Sequence, residues 1–153
     1  MSTTADTSLA DPIRIRAGRR EDSDRVFELL KQLASSYAPD RSAFDATFAL
    51  IIDDVDGSLL LVAEDATAQV RGYALTTISS LLYTNGRSAQ LQELVVDEQH
   101  QGQGHGTALI EELELICRSR GVRQLTVPSR RSADFYERLG YHSTADFLKR
   151  TFD

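Results

Sequence analysis

The chain has 153 residues, the usual length of one domain, of which 41% are hydrophobic and 26% are charged. This composition is typical of a soluble globular protein, and no apolar run reaches the ~18 residues that a membrane-spanning helix needs. Acidic residues outnumber basic ones, giving a net charge of −6, and there is no basic stripe of the kind that binds nucleic acid. The acidic balance could attract a cationic amine, and it could equally serve solubility alone.

The first eleven residues are small and polar, and we predict a disordered tail over 1–11 ahead of one domain over 12–153. The tail lacks the positive charge and the apolar core of a secretory signal peptide. The lone cysteine, Cys117, has no partner for an internal disulfide, which is typical of a reducing compartment. We therefore expect a cytoplasmic location, with neither a membrane nor nucleic acid as a partner.

The predicted elements begin with a short strand, because Ile13 and Ile15 alternate with arginines at the period of a half-buried strand. Two amphipathic helices follow, the first capped by Asp22 or Ser23 and the second starting after Pro39. Each helix carries apolar residues that recur every three or four positions. Further along the chain we predict strands over 59–64 and 70–81, with a turn at 66–69 between them.

In the second half, an Asn85-Gly86 pair predicts a hairpin turn, and a strand follows over 91–97. Helical spacing of apolar residues from Thr107 predicts a long helix that ends at Gly121. The remaining predicted elements are a strand over 122–127, a short helix over 133–139, and a last strand or hairpin over 141–152. This order indicates an α+β fold with a mixed, mostly antiparallel sheet of six to seven strands and about four flanking helices.

The most informative stretch is a glycine-rich loop at residues 101–106, Gln-Gly-Gln-Gly-His-Gly, between a predicted strand and a predicted helix. Its three glycines lack Cβ atoms, so the main-chain N–H groups can approach a ligand closely. The start of a helix adds unpaired N–H donors and the positive end of the helix dipole. The loop therefore predicts a phosphate or diphosphate site, although a tight turn without a ligand would use the same glycines.

Spacing separates the nucleotide motifs that compete for this loop. A dinucleotide fingerprint requires glycine where this chain has Thr107, and a Walker loop requires a lysine that is missing. The pattern Gln101-x-x-Gly104-x-Gly106 instead resembles the Q/R-x-x-G-x-G/A loop of the GNAT acetyltransferase superfamily.

A second motif lies at the distance that this family requires, beyond one predicted helix and one predicted strand. The segment Ser-Ala-Asp-Phe-Tyr-Glu-Arg-Leu-Gly-Tyr at 132–141 resembles the family's "A-x-x-FYe-x-lGF" sequence. Ser132 and Tyr141 depart mildly from it, since the family often has alanine and phenylalanine there. On these two motifs the chain is identified as a member of the GNAT superfamily.

The resemblance implies acetyl-CoA as co-substrate. It implies that a splayed strand hydrogen-bonds the pantetheine arm through the main chain of Leu94, Val95 and Val96. It implies that the diphosphate is held by the main-chain N–H groups of Gln101, Gly102, Gln103, Gly104, His105, Gly106 and Thr107. In this chain Gln101 and Gln103 stand where Arg or Lys is frequent, so binding must rely on backbone dipoles. His105 also departs from the family, which commonly has an aliphatic residue there.

The resemblance also implies two catalytic residues. Tyr136 matches the tyrosine near the cofactor sulfur, where its hydroxyl can protonate the departing thiolate, although it could simply be a packing aromatic. Glu93 is the candidate base for the amine, directly or through water, and its alternative is a solvent-facing charge on the sheet. We expect Glu93 to share one strand face with Leu91 and Val95.

The predicted function is transfer of an acetyl group from acetyl-CoA to a primary amine of a small molecule or peptide, by direct attack in a ternary complex. The alternative is a non-catalytic acyl-CoA-binding regulatory or interaction module on the same fold. Dimers are frequent in the family, so a homodimer is an open alternative. We expect no metal, because the three histidines and Cys117 lack zinc-site spacing.

Overall fold

The computed structural model describes residues 12–34, 37–129 and 132–152, so the predicted tail over 1–11 lies outside the described residues. The helices are α1 (Ser23–Leu33), α2 (Arg41–Asp53), α3 (His105–Ser119) and α4 (Ala133–Arg138). The strands are β1 (Arg14–Ala17), β2 (Ser58–Glu64), β3 (Val70–Leu81), β4 (Gly86–Val96) and β5 (Val122–Thr126). In the described ranges, no helix combines the length and the apolar character that crossing a bilayer requires.

The strands form one sheet in the order β1-β2-β3-β4-β5. Neighbours pair antiparallel from β1 to β4, and β5 joins β4 in parallel after the crossover through α3. The predicted α+β fold with a mixed, mostly antiparallel sheet is thus confirmed, with four α-helices in the described part of the chain. The sheet has five strands among the described residues, where six to seven were expected.

The missing strand is the one predicted over 141–152, which is described without strand pairing. Its large apolar side chains Phe147, Leu148 and Phe152 are exposed. Phe147 and Leu148 are adjacent, and neighbouring residues of a strand point to opposite faces. Both side chains are exposed, so no described layer covers either face of this segment and burial does not hold it as a strand.

The starts of α1 and α2 depend on aspartates in two different ways. Asp40 accepts a hydrogen bond from the Ala43 amide at 2.8 Å, which caps the start of α2. Asp22 directly precedes α1, but its carboxylate makes no capping bond. It pairs with Arg16 of β1 at 2.8 Å instead, which ties the start of α1 to the edge of the sheet.

Apolar side chains cover both faces of the sheet. Under α3 the buried cluster includes Leu61, Ala63, Ile78, Leu91, Leu109 and Leu113. Under α1 and α2 the buried cluster includes Val26, Leu29, Phe48, Leu60, Val62 and Val95. Strand β4 contributes Leu91 to the first cluster and Val95 to the second, although residues four apart on a regular strand share one face, and the reason lies in a bulge near its middle.

At this bulge, consecutive residues Leu75 and Thr76 of β3 pair with Glu93 and Leu91, which leaves Gln92 as an extra residue. The extra residue reverses the alternation of β4. Leu91 therefore faces α3, whereas Glu93 turns to the face of α1 and α2. The prediction that Leu91 and Glu93 share one face is wrong, because a strand period of two does not continue through a bulge.

Candidate active site

The glycine-rich loop connects β4 to α3 through a short 3₁₀ turn, Glu98–His100. Gly102 and Gly104 have φ of 80° and 95°, a left-handed backbone that favours glycine over any residue with a Cβ. Helix α3 begins at His105, two residues earlier than predicted, with Gly104 as the residue before its first turn. The glycines thus let the chain reverse sharply and enter the helix at once.

The amides of this connection fall into two groups. Those of Glu98, Gln99 and His100 are occupied, by the Gln32 side chain at 3.0 Å, the Asp97 side chain at 3.2 Å and the Asp97 carbonyl at 2.7 Å. Those of residues 102–107 donate to no described residue. A row of free N–H groups therefore lies at the positive end of α3, which is the arrangement that binds a phosphate or diphosphate.

Gly106 contributes in a different way, because it already lies inside α3. A Cβ added to it would lie 3.5 Å from the Phe135 ring and 3.7 Å from Val96, which are ordinary contact distances. The first turn of α3 thus packs directly on the end of β4 and on α4. The space left around Gly106 fits the glycine-or-alanine position of the motif.

A gap opens between β5 and β4, the strand that leads into this loop. Their pairing ends where Gln90 meets Thr126. Beyond that point the chains diverge around a cavity of about 180 Å³. Residues 91–94 form one wall, residues 127–129 form the other, and Ser132 and Tyr136 close the end.

The main chain at the end of β4 is directed by its pairing with β3. The Asp97 amide donates to the Arg71 carbonyl at 2.7 Å, so that pair of residues is hydrogen-bonded. Antiparallel pairing alternates, which turns the main-chain groups of Val95 toward β3 and those of Leu94 and Val96 toward the gap. Of the three residues predicted to bind a ligand through their main chain, Leu94 and Val96 face the gap and Val95 does not.

Tyr136 borders the gap and is only 9% exposed. The rings of Phe135 and Tyr141 meet it edge-on, with centroids 5.0 and 5.9 Å away. Burial raises the pKa of its hydroxyl above the ordinary value, so the group carries its proton at neutral pH. The position and the protonation state both suit a proton donor in the gap.

Glu93 lies between two cavities. It borders the β4–β5 gap, and it also borders a groove of about 240 Å³ between the sheet and the pair α1–α2. Its Oε1 accepts a hydrogen bond of 2.7 Å from the hydroxyl of Tyr73, a buried residue of β3. Burial and the neighbouring carboxylate both raise the pKa of Tyr73, so its hydroxyl remains a donor that fixes the carboxylate.

Both features, free amides at the mouth of α3 and a splayed strand pair closed by a tyrosine, lie in the part of the chain that matches a known family. The acetyltransferase (GNAT) domain family matches residues 56–143, which is more than half of the chain. The chain belongs to this family.

Individual proteins that resemble this GNAT chain include two named as glucosamine 6-phosphate N-acetyltransferase. A curated relative from Trypanosoma brucei brucei is 34% identical over 79 residues, which are 50% of this chain and 54% of the relative. The chain therefore spans about half the length of that relative. The crystal structure of the enzyme from Arabidopsis thaliana has a TM-score of 0.81 at 24% identity, over 94% of this chain and 100% of the other.

A further crystal structure is that of a predicted acetyltransferase with acetyl-CoA from Clostridium acetobutylicum. Its TM-score is 0.76 at 15% identity, over 92% of this chain and 96% of the other. At such low identity, both solved structures support the fold alone.

The GNAT site contains two residues that sequence reasoning missed. Tyr73 is the hydrogen-bond donor that holds Glu93. Asp97 anchors the start of the loop through Arg25 at 2.6 Å and through the Gln99 amide. No local signal marks Asp97, because Arg25 lies on α1, far away in the sequence.

His105 is the one loop side chain that is fully buried, at 3% exposure, and neither ring nitrogen has a described hydrogen-bond partner. Burial lowers the pKa of His105 below its ordinary value of 6.5, so the ring is neutral at pH 7. It therefore fills the place of an aliphatic residue rather than meeting an anion. No group of three side chains suited to a metal occurs within the described ranges.

Proposed function

We propose that this GNAT protein transfers the acetyl group of acetyl-CoA to a primary amine by direct attack in a ternary complex. The observation that carries the proposal is the row of free amides over 102–107, which follows β4, the strand that lines the gap closed by Tyr136. Such amides suit a diphosphate, and the gap offers room and main-chain partners for an extended arm. Glucosamine 6-phosphate, the compound in the names of two relatives, is one amine of this class.

Three groups of residues would hold the coenzyme. The amides over 102–107 would bind the diphosphate, and the main chains of Leu94 and Val96 would bind the pantetheine arm. The Gln101 side chain already donates to the Val96 carbonyl at 3.4 Å, so it would help to fix that end of the strand. Bound acetyl-CoA would supply the acetyl group as an activated thioester.

The two catalytic side chains divide the proton transfers. In the reaction one N–C bond forms and one C–S bond breaks, the amine loses a proton and the departing sulfur gains one. Glu93 borders both cavities, so its carboxylate accepts the proton of the amine, directly or through water. Tyr136 is protonated at neutral pH, so its hydroxyl donates to the sulfur.

Calorimetry with acetyl-CoA tests the loop. We expect Gly104→Glu to abolish binding, because a side chain and a negative charge both oppose the diphosphate. Gly121→Glu is a matched control at the other end of α3, since Gly121 also has a positive φ, of 72°. Equal affinity of the two variants for acetyl-CoA would contradict the proposal.

Steady-state acetylation of a mixed amine panel, followed by mass detection, tests the chemistry. We expect Tyr136→Phe to lower kcat by roughly 10²–10⁴, the usual contribution of a general acid, with acetyl-CoA binding retained. An unchanged kcat would remove Tyr136 from the mechanism. Acetyl-CoA binding without turnover of any amine would favour the non-catalytic module.

The proposal extends to assembly and location. A homodimer is supported by the exposed side chains of Phe147, Leu148 and Phe152, which a second copy could cover. Light scattering that gives the mass of one chain at micromolar concentration would exclude it. A cytoplasmic location is supported by the single, free Cys117, and cell fractionation tests it.

A further inference from the structure

We infer that the acceptor is a small amine with an apolar, ring-sized body, which lies in the groove between the sheet and α1–α2 with its ammonium group at Glu93. This inference rests on the proposed function, since it names the class of amine that the same site takes.

The groove has the size and the lining for such a body. Its volume of about 240 Å³ lies just below the ~300–1,000 Å³ that is usual for ligand pockets, so it suits a small ligand. Apolar side chains from both helices and from the sheet cover its walls, among them Leu30, Phe44, Phe48, Ile51, Leu60 and Leu75. A compact ring would replace water against these side chains.

One carboxylate that lines the groove, that of Glu93, is open to an ammonium group. Glu93 Oε1 accepts the Tyr73 hydroxyl, whereas Oε2 has no described hydrogen-bond partner. The other acid of the lining, Asp40, is already engaged as the cap of α2. Because Glu93 also borders the β4–β5 gap, an amine nitrogen bound to it lies next to the proposed thioester space.

The charges of the groove disfavour a phosphorylated acceptor. None of the described residues that line it is Lys, Arg or His, and both charged ones are acids. Arg41 of α2 stacks on Phe44 at 5.7 Å, but Asp24 and Asp45 bind its guanidinium. A phosphate group in this groove would thus have two carboxylates and no free cation around it, which is unfavourable when water is excluded.

The test compares kcat/KM for three acceptors with the wild-type protein: 2-phenylethylamine, ethanolamine and glucosamine 6-phosphate. We expect 2-phenylethylamine to exceed ethanolamine by roughly 10- to 100-fold, from burial of the ring, and glucosamine 6-phosphate to be the poorest. Thr47 is exposed and lines the groove, so Thr47→Arg should fold and place a cation there. Ala46→Arg adds the same charge one position away, outside the lining.

The inference is supported if Thr47→Arg lowers kcat/KM for 2-phenylethylamine about tenfold, by repulsion and lost apolar contact, while Ala46→Arg does not. It is overturned, with the proposed function intact, if the wild type acetylates glucosamine 6-phosphate or ethanolamine at least as well as 2-phenylethylamine. Failure to acetylate any amine would instead overturn the proposed function, and the inference with it.

Discussion

Two carboxylates near the end of β4 have opposite surroundings. Asp97 is 6% exposed and is bound by Arg25 at 2.6 Å, with Arg71 at 3.9 Å, the Gln99 amide at 3.2 Å and the Gln32 side chain at 3.5 Å. Glu93 borders two cavities, and its one described partner is the neutral hydroxyl of Tyr73. A carboxylate enclosed by cations stabilises the fold. A carboxylate that is held in place by a neutral hydroxyl, with no cation paired to it, can take a proton from a substrate.

The surroundings of Asp97 decide its charge. Burial alone would raise the pKa of Asp97, but the Gln99 amide and the Arg25 guanidinium outweigh burial and hold the pKa below its ordinary value of 3.8. The stabilisation from this carboxylate is therefore complete above about pH 4, and it is lost as the pH falls through the lowered value. Asp97 is thus a poor proton acceptor under all ordinary conditions.

Among the substitutions that test this difference between Asp97 and Glu93, the one with the largest expected effect changes catalysis. Glu93→Gln keeps the shape and the hydrogen bond from Tyr73 but removes the charge, so kcat/KM should fall by roughly 10²–10⁴. The free energy of unfolding should change by no more than about 0.5 kcal/mol, since no ion pair is lost. Steady-state kinetics and urea unfolding measure the two quantities. A loss of kcat/KM below tenfold would show that Glu93 is not the base and would favour its alternative, a solvent-facing charge on the sheet.

The second largest expected effect is that of a substitution at Asp97, which lowers the free energy of unfolding. Asp97→Asn leaves the Arg25 guanidinium without its counterion and should lower the free energy of unfolding by about 3 kcal/mol in urea. Asp24→Asn is the control, because the Asp24 side chain is 88% exposed and its pair with Arg41 should contribute less than about 1 kcal/mol. Equal losses in the two variants would show that the loop does not depend on Asp97.

The smallest expected effect is that of a substitution at His105. This side chain is buried without a hydrogen-bond partner, whereas Asp97 is buried with several. His105→Leu removes two unpaired ring nitrogens and should raise the free energy of unfolding by about 1 kcal/mol at pH 7. Because the folded-state pKa of His105 is lowered, the unfolded chain binds the proton more readily, and stability falls as the pH drops below 6.5.

Urea unfolding at pH 7.5 and pH 5.5 should therefore show a smaller pH dependence in His105→Leu than in the wild type. His142→Leu is the control, since it makes the same replacement at an exposed position. If the pH dependence of the free energy of unfolding is as large in His105→Leu as in the wild type, groups other than His105 cause it.

Local signals predicted the fold and the loop well. The Asn85-Gly86 pair marks the β3–β4 turn, and the glycines mark the turn into α3, because each depends on backbone conformations of residues adjacent in sequence. The strand predicted over 91–97 proved to begin at Gly86, since the polar start of β4 is covered by strands on both sides. Small or polar residues at such positions give no apolar signal.

Contacts between residues far apart in the sequence could not be predicted from these local signals. The direction of Glu93 depends on one extra residue in a pairing with β3, and the sequence alone does not mark which residue bulges. The partners of Asp97 come from α1 and β3. The roles of individual site residues accordingly stay predictions, whereas the family and the α+β fold are established.

The extra residue in β4 limits how this site can change during evolution. Single substitutions at Glu93 can alter its chemistry, but none can move the side chain to the other side of the sheet. Loss of Gln92 would leave Glu93 on its present face, because its partner Leu75 and the partner of Leu91, Thr76, are already consecutive on β3. Within β4, loss of Gln92 is therefore the single deletion that keeps both the strand register and the direction of Glu93.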